Sequence, residues 1–157
     1  MVDIGFSDPL VWTSETIRAP DLLAFADIEP IEVPVLPLEQ HIAEKVHAYT
    51  RTYGQGQKSS RAKDLVDLVL VKQLMVLDAS RLRSALVGIF EGRRQQGLPD
   101  RLPPPPKDWA VPYRKLAKEV GVDPDLRAGY TEATALLDPA LADRATGRWN
   151  PKKASWE

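Results

Sequence analysis

At 157 residues and 43% apolar content, the chain is long enough for one globular domain. Its 21 Lys and Arg against 22 Asp and Glu leave a net charge of −1, which excludes a protein basic over its whole surface and leaves room for a local basic site. With no cysteine, disulfides, thiolate metal centres and a cysteine nucleophile are excluded. No basic segment leads into an apolar one at the start, and no apolar run approaches the ~18 residues of a membrane span, so composition predicts a soluble cytoplasmic protein.

Fourteen prolines predict many chain breaks. Val2 to Phe6 read as a short strand that starts directly after Met1, which leads us to expect the downstream part of something longer. Residues 9–30 read as irregular, broken by Pro9, Pro20 and Pro30. Glu32 to Leu36 read as a second strand, placed at a sheet edge because Pro34 has no N–H to donate. Pro37 opens a predicted helix over 38–50, in which Leu38, Ile42, Val46 and Tyr49 recur at helical spacing. After a loop rich in Gly, Gln and Ser, a helix over 61–75 is apolar nearly all round and is therefore central. Asp78 caps a third helix running to about residue 96, with Leu82, Leu86, Ile89 and Phe90 inward and Gly97 as its stop.

Pro103 to Pro106 form a stiff spacer, followed by predicted helices over 108–120, 124–137 and 139–145. Asp123-Pro124 and Asp138-Pro139 each read as an N-cap followed by proline at the first helical position. The tail from Gly147 reads as irregular. The expected class is α+β, mainly α-helical, with short N-terminal edge strands followed by a helical bundle. Residues 1–102 form the strand-and-helix region, and 103–157 form a Pro-rich spacer with a helical extension packed on it.

One polar pattern stands out. At about 100° per residue, Ser60, Lys63, Asp64 and Asp67 fall within one arc of the second helix, a charged stripe on its first two turns. Acidic residues near a helix N-terminus also complement the helix dipole, which is the plainer reading. On the first helix Lys45 borders the apolar stripe, while Glu44 points away from it. A lysine so placed either snorkels to water or holds its ammonium at the mouth of a cleft between the helices.

From Lys45 to Lys63 there are five basic residues (Lys45, Arg51, Lys58, Arg61, Lys63) and no acid. Two helices joined by a basic loop, with carboxylates at the second helix start, suit a metal–triphosphate: cations neutralise phosphate oxygens while an aspartate orients a hydroxyl or holds a cation. A solvated loop is the competing reading. His41 and His47 lie off the i, i+4 spacing of a chelating pair and read as surface residues. No nucleophile elbow and no Walker or Rossmann phosphate loop is present, and the four tryptophans read as packing residues.

Three stretches in order, Val-Asp-Ile-Gly-Phe-Ser-Asp8, Leu-Glu-Gln-His-Ile-Ala-Glu-Lys-Val-His-Ala48 and Ser-Arg-Ala-Lys-Asp-Leu-Val-Asp67, resemble the abortive-infection toxin nucleotidyltransferases of the AbiEii/AbiGii type. The resemblance covers about residues 1–95 and rests on the Glu-Lys pair and the Lys-Asp-x-x-Asp run, with Lys45 and Asp67 twenty-two residues apart. It implies a nucleotidyltransferase-like sheet followed by a helical half. It also implies transfer of a nucleotide from a nucleoside triphosphate, in some members to the 3′ end of tRNA, by a toxin held in check by a cognate antitoxin in phage defence. Carried over, Asp3 would stand near the Mg2+ ions, Lys45 would contact triphosphate and Asp67 would be an essential acid of the site. Glu44, Arg61, Lys63 and Asp64 would support them.

The Gly-Ser turn followed by an Asp-x-Asp metal pair that opens the family's pattern is missing from the 157 residues. The resemblance is therefore to the C-terminal half, and the expectation is a transferase incomplete by itself. It would be completed by a separate N-terminal half, or else serve as a non-catalytic helical interaction protein.

Overall fold

The computed structural model describes residues 13–22, 24–51, 61–94 and 96–157. The strand expected at Val2 to Phe6 and the loop expected at 52–60 thus lie outside the described residues. The architecture is α+β and mainly helical.

A two-stranded antiparallel ribbon comes first, β1 (Glu15–Arg18) against β2 (Glu32–Val35), with Thr16 opposite Pro34. The segment holding β1 reads as irregular in sequence because all four of its residues are exposed, so no buried face imposes an alternating pattern. Pro34 is tolerated because a two-stranded ribbon has no central strand.

Five helices follow among the described residues: α1 (Leu38–Thr50), α2 (Ala62–Leu74), α3 (Ala79–Arg93), α4 (Ala110–Val120) and α5 (Leu126–Leu141). α2 is the centre, packed on α1, α4 and α5, while α1 lies along α3. That placement explains why α2 is apolar around its circumference: Leu65, Val66, Leu68 and Val69 are all buried. The inward set of α3 is Leu82, Leu86, Ile89 and Phe90, as the spacing predicts. One apolar cluster draws residues from both sides of the Pro103–Pro106 run, joining Leu65 and Leu86 to Leu136 and Leu141.

The helix ends depart from the sequence reading in three places. Asp78 caps α3, accepting from Arg81 N at 2.9 Å, but the helix stops at Arg93. Arg94 adopts the left-handed conformation that Gly97 was expected to provide, with φ 47°. Gln96 instead donates to His47 O at 2.9 Å and Thr50 Oγ1 at 2.7 Å, which draws the chain onto the open carbonyls at the end of α1.

At the other end of the chain, Asp125 rather than Asp123 caps α5, and Asp123 accepts from Asp125 N in a local turn. Asp138-Pro139 does not start a new helix, because α5 runs through it to Leu141. Pro139 sits in the last turn, where few helical bonds remain to be lost. Continuing the helix keeps Leu136, Leu137, Ala140 and Leu141 buried. The Asp138 carboxylate turns outward from the helix to accept from Leu102 N at 2.9 Å.

The tail is not irregular. β4 (Arg148–Asn150) pairs with β3 (Leu77–Asp78) on one side and with β5 (Ser155–Trp156) on the other. Gly147 permits the approach: it lies at φ 68°, and a Cβ there would stand 2.2 Å from Glu157 O. Trp149 is buried, its indole N–H donating to Lys72 O at the end of α2 at 2.8 Å. Among the described residues no helix is long and apolar enough to cross a membrane.

Candidate phosphate-binding site

Lys45 leaves the third turn of α1, and Asp64 and Asp67 leave the first two turns of α2. The two aspartates are three residues apart and so share a helix face. Because α1 packs against α2, that face meets Lys45. The ammonium donates to Asp67 Oδ2 at 2.5 Å and lies 3.7 Å from Asp64 Oδ1. Arg61, at the N-cap of α2, reaches Asp64 Oδ2 at 3.3 Å.

The cluster is two cations and two anions, partly shielded from water: the Lys45 side chain is 17% exposed and that of Asp64 12%. Half-burial strengthens each contact relative to a surface pair, and Arg61 at 36% keeps the cluster open to solvent on one side. Such an arrangement can exchange internal partners for an incoming anion. Phosphate oxygens accept charge-assisted bonds from ammonium and guanidinium groups as readily as carboxylates do.

Of the residues singled out in sequence, the structure brings together Lys45, Arg61, Asp64 and Asp67. Lys63 is exposed, and Glu44 accepts from Gln40 one turn back on α1 at 3.4 Å. Asp3 lies outside the described residues. His41 is exposed as expected, but His47 is buried. Its ring packs edge-on against Phe90 of α3 with centroids 4.9 Å apart, and its Nδ1 is 3.3 Å from Arg93 Nη1. It is a packing residue of the α1–α3 contact, whose breadth was not visible from the apolar stripe alone.

A second ion pair, Lys72 with Glu132, joins α2 to α5. The two are 60 residues apart with no motif around either, so the sequence carries no signal for it. Among the described residues no three His, Cys, Asp or Glu side chains converge as a metal site. Asp64 and Asp67 already face cations, so the described residues do not by themselves fit a metal centre.

Helical packing thus converges a lysine, an arginine and two aspartates on one open-sided face. The chain matches, over residues 1–154, the family described as the nucleotidyl transferase AbiEii toxin of type IV toxin–antitoxin systems, and it belongs to that family. The match reaches well past residue 95, so the C-terminal helices and β4 fall within the family's pattern as well. No curated protein matches the chain.

Proposed function

We propose that this chain supplies the nucleoside-triphosphate-binding half of a toxin nucleotidyltransferase, with Lys45 and Arg61 receiving the phosphates and Asp67 holding Lys45 in place. The observation that carries the reading is the convergence of Lys45, Arg61, Asp64 and Asp67 from two helices onto one half-shielded, open-sided cluster. The acceptor in this proposal is an RNA 3′ end, tRNA by the family resemblance, and the cognate antitoxin is the restraining partner. Nucleotide transfer through two Mg2+ ions needs a carboxylate pair that bridges them. The Gly-Ser and Asp-x-Asp motif that would carry it is missing from the 157 residues, so in this proposal the pair comes from a separate N-terminal half, with Asp3 beside it.

The test is calorimetric titration of the chain with ATP and the other nucleoside triphosphates. Binding at up to millimolar nucleotide that disappears in Lys45→Ala is expected, a loss of about tenfold or more in affinity for one charge-assisted contact. No binding by the natural chain, or unchanged binding by the variant, overturns the proposal.

A second reading is favoured by one specific feature. The ribbon and its connecting turn expose Ile17, Leu22, Phe25, Ile28 and Ile31, more apolar surface together than an isolated surface leucine. On this reading the chain is a non-catalytic interaction protein that buries the ribbon against an antitoxin or a separate N-terminal half. A strictly monomeric chain by light scattering, with no association on adding either protein, counts against it.

A further inference from the structure

Asp64 is the residue of the cluster whose chemistry is least explained by the reading above. It is buried, and an isolated buried carboxylate is costly, so its position demands partners. It uses its two oxygens on two different cations: Oδ1 faces Lys45 at 3.7 Å and Oδ2 accepts from Arg61 at 3.3 Å. Asp67, by contrast, serves Lys45 by the closer contact of 2.5 Å. Asp64 is therefore the element that ties the cation of α1 to the cation at the start of α2. Without it, the Lys45 and Arg61 cations would face each other with no carboxylate lodged between them.

We propose that Asp64 is a positioning residue: its carboxylate, lodged between Lys45 and Arg61, holds the two cations one carboxylate's width apart, the spacing that lets them grip neighbouring phosphates of a nucleoside triphosphate, and it is not itself a metal ligand. This deepens the nucleotide-binding reading and rests on it. The alternative roles give opposite signs. If Asp64 merely added negative charge beside an anion site, or complemented the dipole of α2, its neutralisation would leave triphosphate binding unchanged or tighten it. If it positions the cations, neutralisation weakens binding although the site becomes more positive.

The experiment titrates the full chain with inorganic triphosphate and with ATP, each with and without Mg2+, in low salt, alongside thermal melts by circular dichroism. Asp64→Asn is expected to bind about threefold or more weakly at a temperature where the melt shows it folded, and to the same degree with and without Mg2+. Asp64→Glu, which keeps the charge, should retain affinity. Arg61→Gln alters a partly exposed side chain outside the core and provides a second variant should Asp64→Asn fold poorly; it should lose a similar factor. Combining the two changes should cost no more than either alone, because both break one link.

Unchanged or tighter binding by Asp64→Asn, a loss confined to Mg2+-containing buffer, or additive losses in the double variant overturns the positioning role. A natural chain that binds neither triphosphate nor ATP overturns the nucleotide-binding reading itself, and this inference with it.

Discussion

Tyr113 carries its hydroxyl into the core with no hydrogen-bond partner among the described residues. Burial pushes its phenol up to about 12, helped by the negative charges of Asp123, Asp125 and Glu132. Tyr49 and Tyr130 are raised in the same direction, each chiefly by burial. A phenol whose folded pKa lies above its ordinary value of 10 contributes stability that is complete below pH 10 and is lost as pH rises toward 12. The expected result is a denaturation midpoint that falls above pH 10, with tyrosinate absorbance appearing together with unfolding. Tyr113→Phe should leave stability unchanged or raise it by up to ~1 kcal/mol, since it removes a buried unpaired hydroxyl, and should soften the alkaline loss. A drop of more than ~1 kcal/mol in a urea titration would reveal a partner for that hydroxyl. None of this was legible in sequence, where Tyr113 is one aromatic residue of the helix predicted over 108–120 and nothing local marks its hydroxyl as unpartnered. Lys45 was half legible: its border position was readable, but only the approach of α2 decides between snorkelling and pairing, and it pairs.

At the scale of elements, α1, α2 and α3 were readable because each has a long apolar repeat, and Asp78 has a capping role that needs only local geometry. The errors lie where a distant contact outweighs a local signal. Asp138-Pro139 is a good local start signal, yet the four buried residues around it keep α5 continuous, and Asp138 is used by Leu102 instead. Gly129 shows the same force from the other side. In a helix alanine is favoured over glycine by ~1 kcal/mol, but a Cβ at Gly129 would lie 1.9 Å from the Tyr113 hydroxyl and 2.4 Å from its ring carbon Cζ. Because Tyr113 is fully buried it has nowhere to move. Gly129→Ala is therefore expected to destabilise by about 1–3 kcal/mol, measured by urea unfolding, against the sign of helix propensity. The glycine is there to let α4 approach α5.

For the whole molecule, the terminal hairpin is an integral part of the core. Trp149 closes the end of α2 through its indole N–H and packs edge-on against Trp156 at 5.6 Å, whose own N–H donates to Leu136 O. Trp149→Ala should cost about 3–5 kcal/mol, a large share of the ~5–15 kcal/mol that holds a domain of this size. Denaturant unfolding should remain a single transition at a lower midpoint. Local fraying of the hairpin with the helices intact would show instead that it is an appendage. Strands of two and three residues carry no alternation to read, which is why the hairpin escaped the sequence while the helices did not.

The sequence by itself determined the helical class, the identity of α2 as the central helix and the membership signalled by Lys45 and the Lys63-Asp64-x-x-Asp67 run, because each of these is written in neighbouring residues or in regular spacing. Tertiary structure alone decided which charges meet. Lys45 and Asp67 are twenty-two residues apart, and whether they touch depends on how two helices pack, a matter of complementary surfaces that no local pattern encodes.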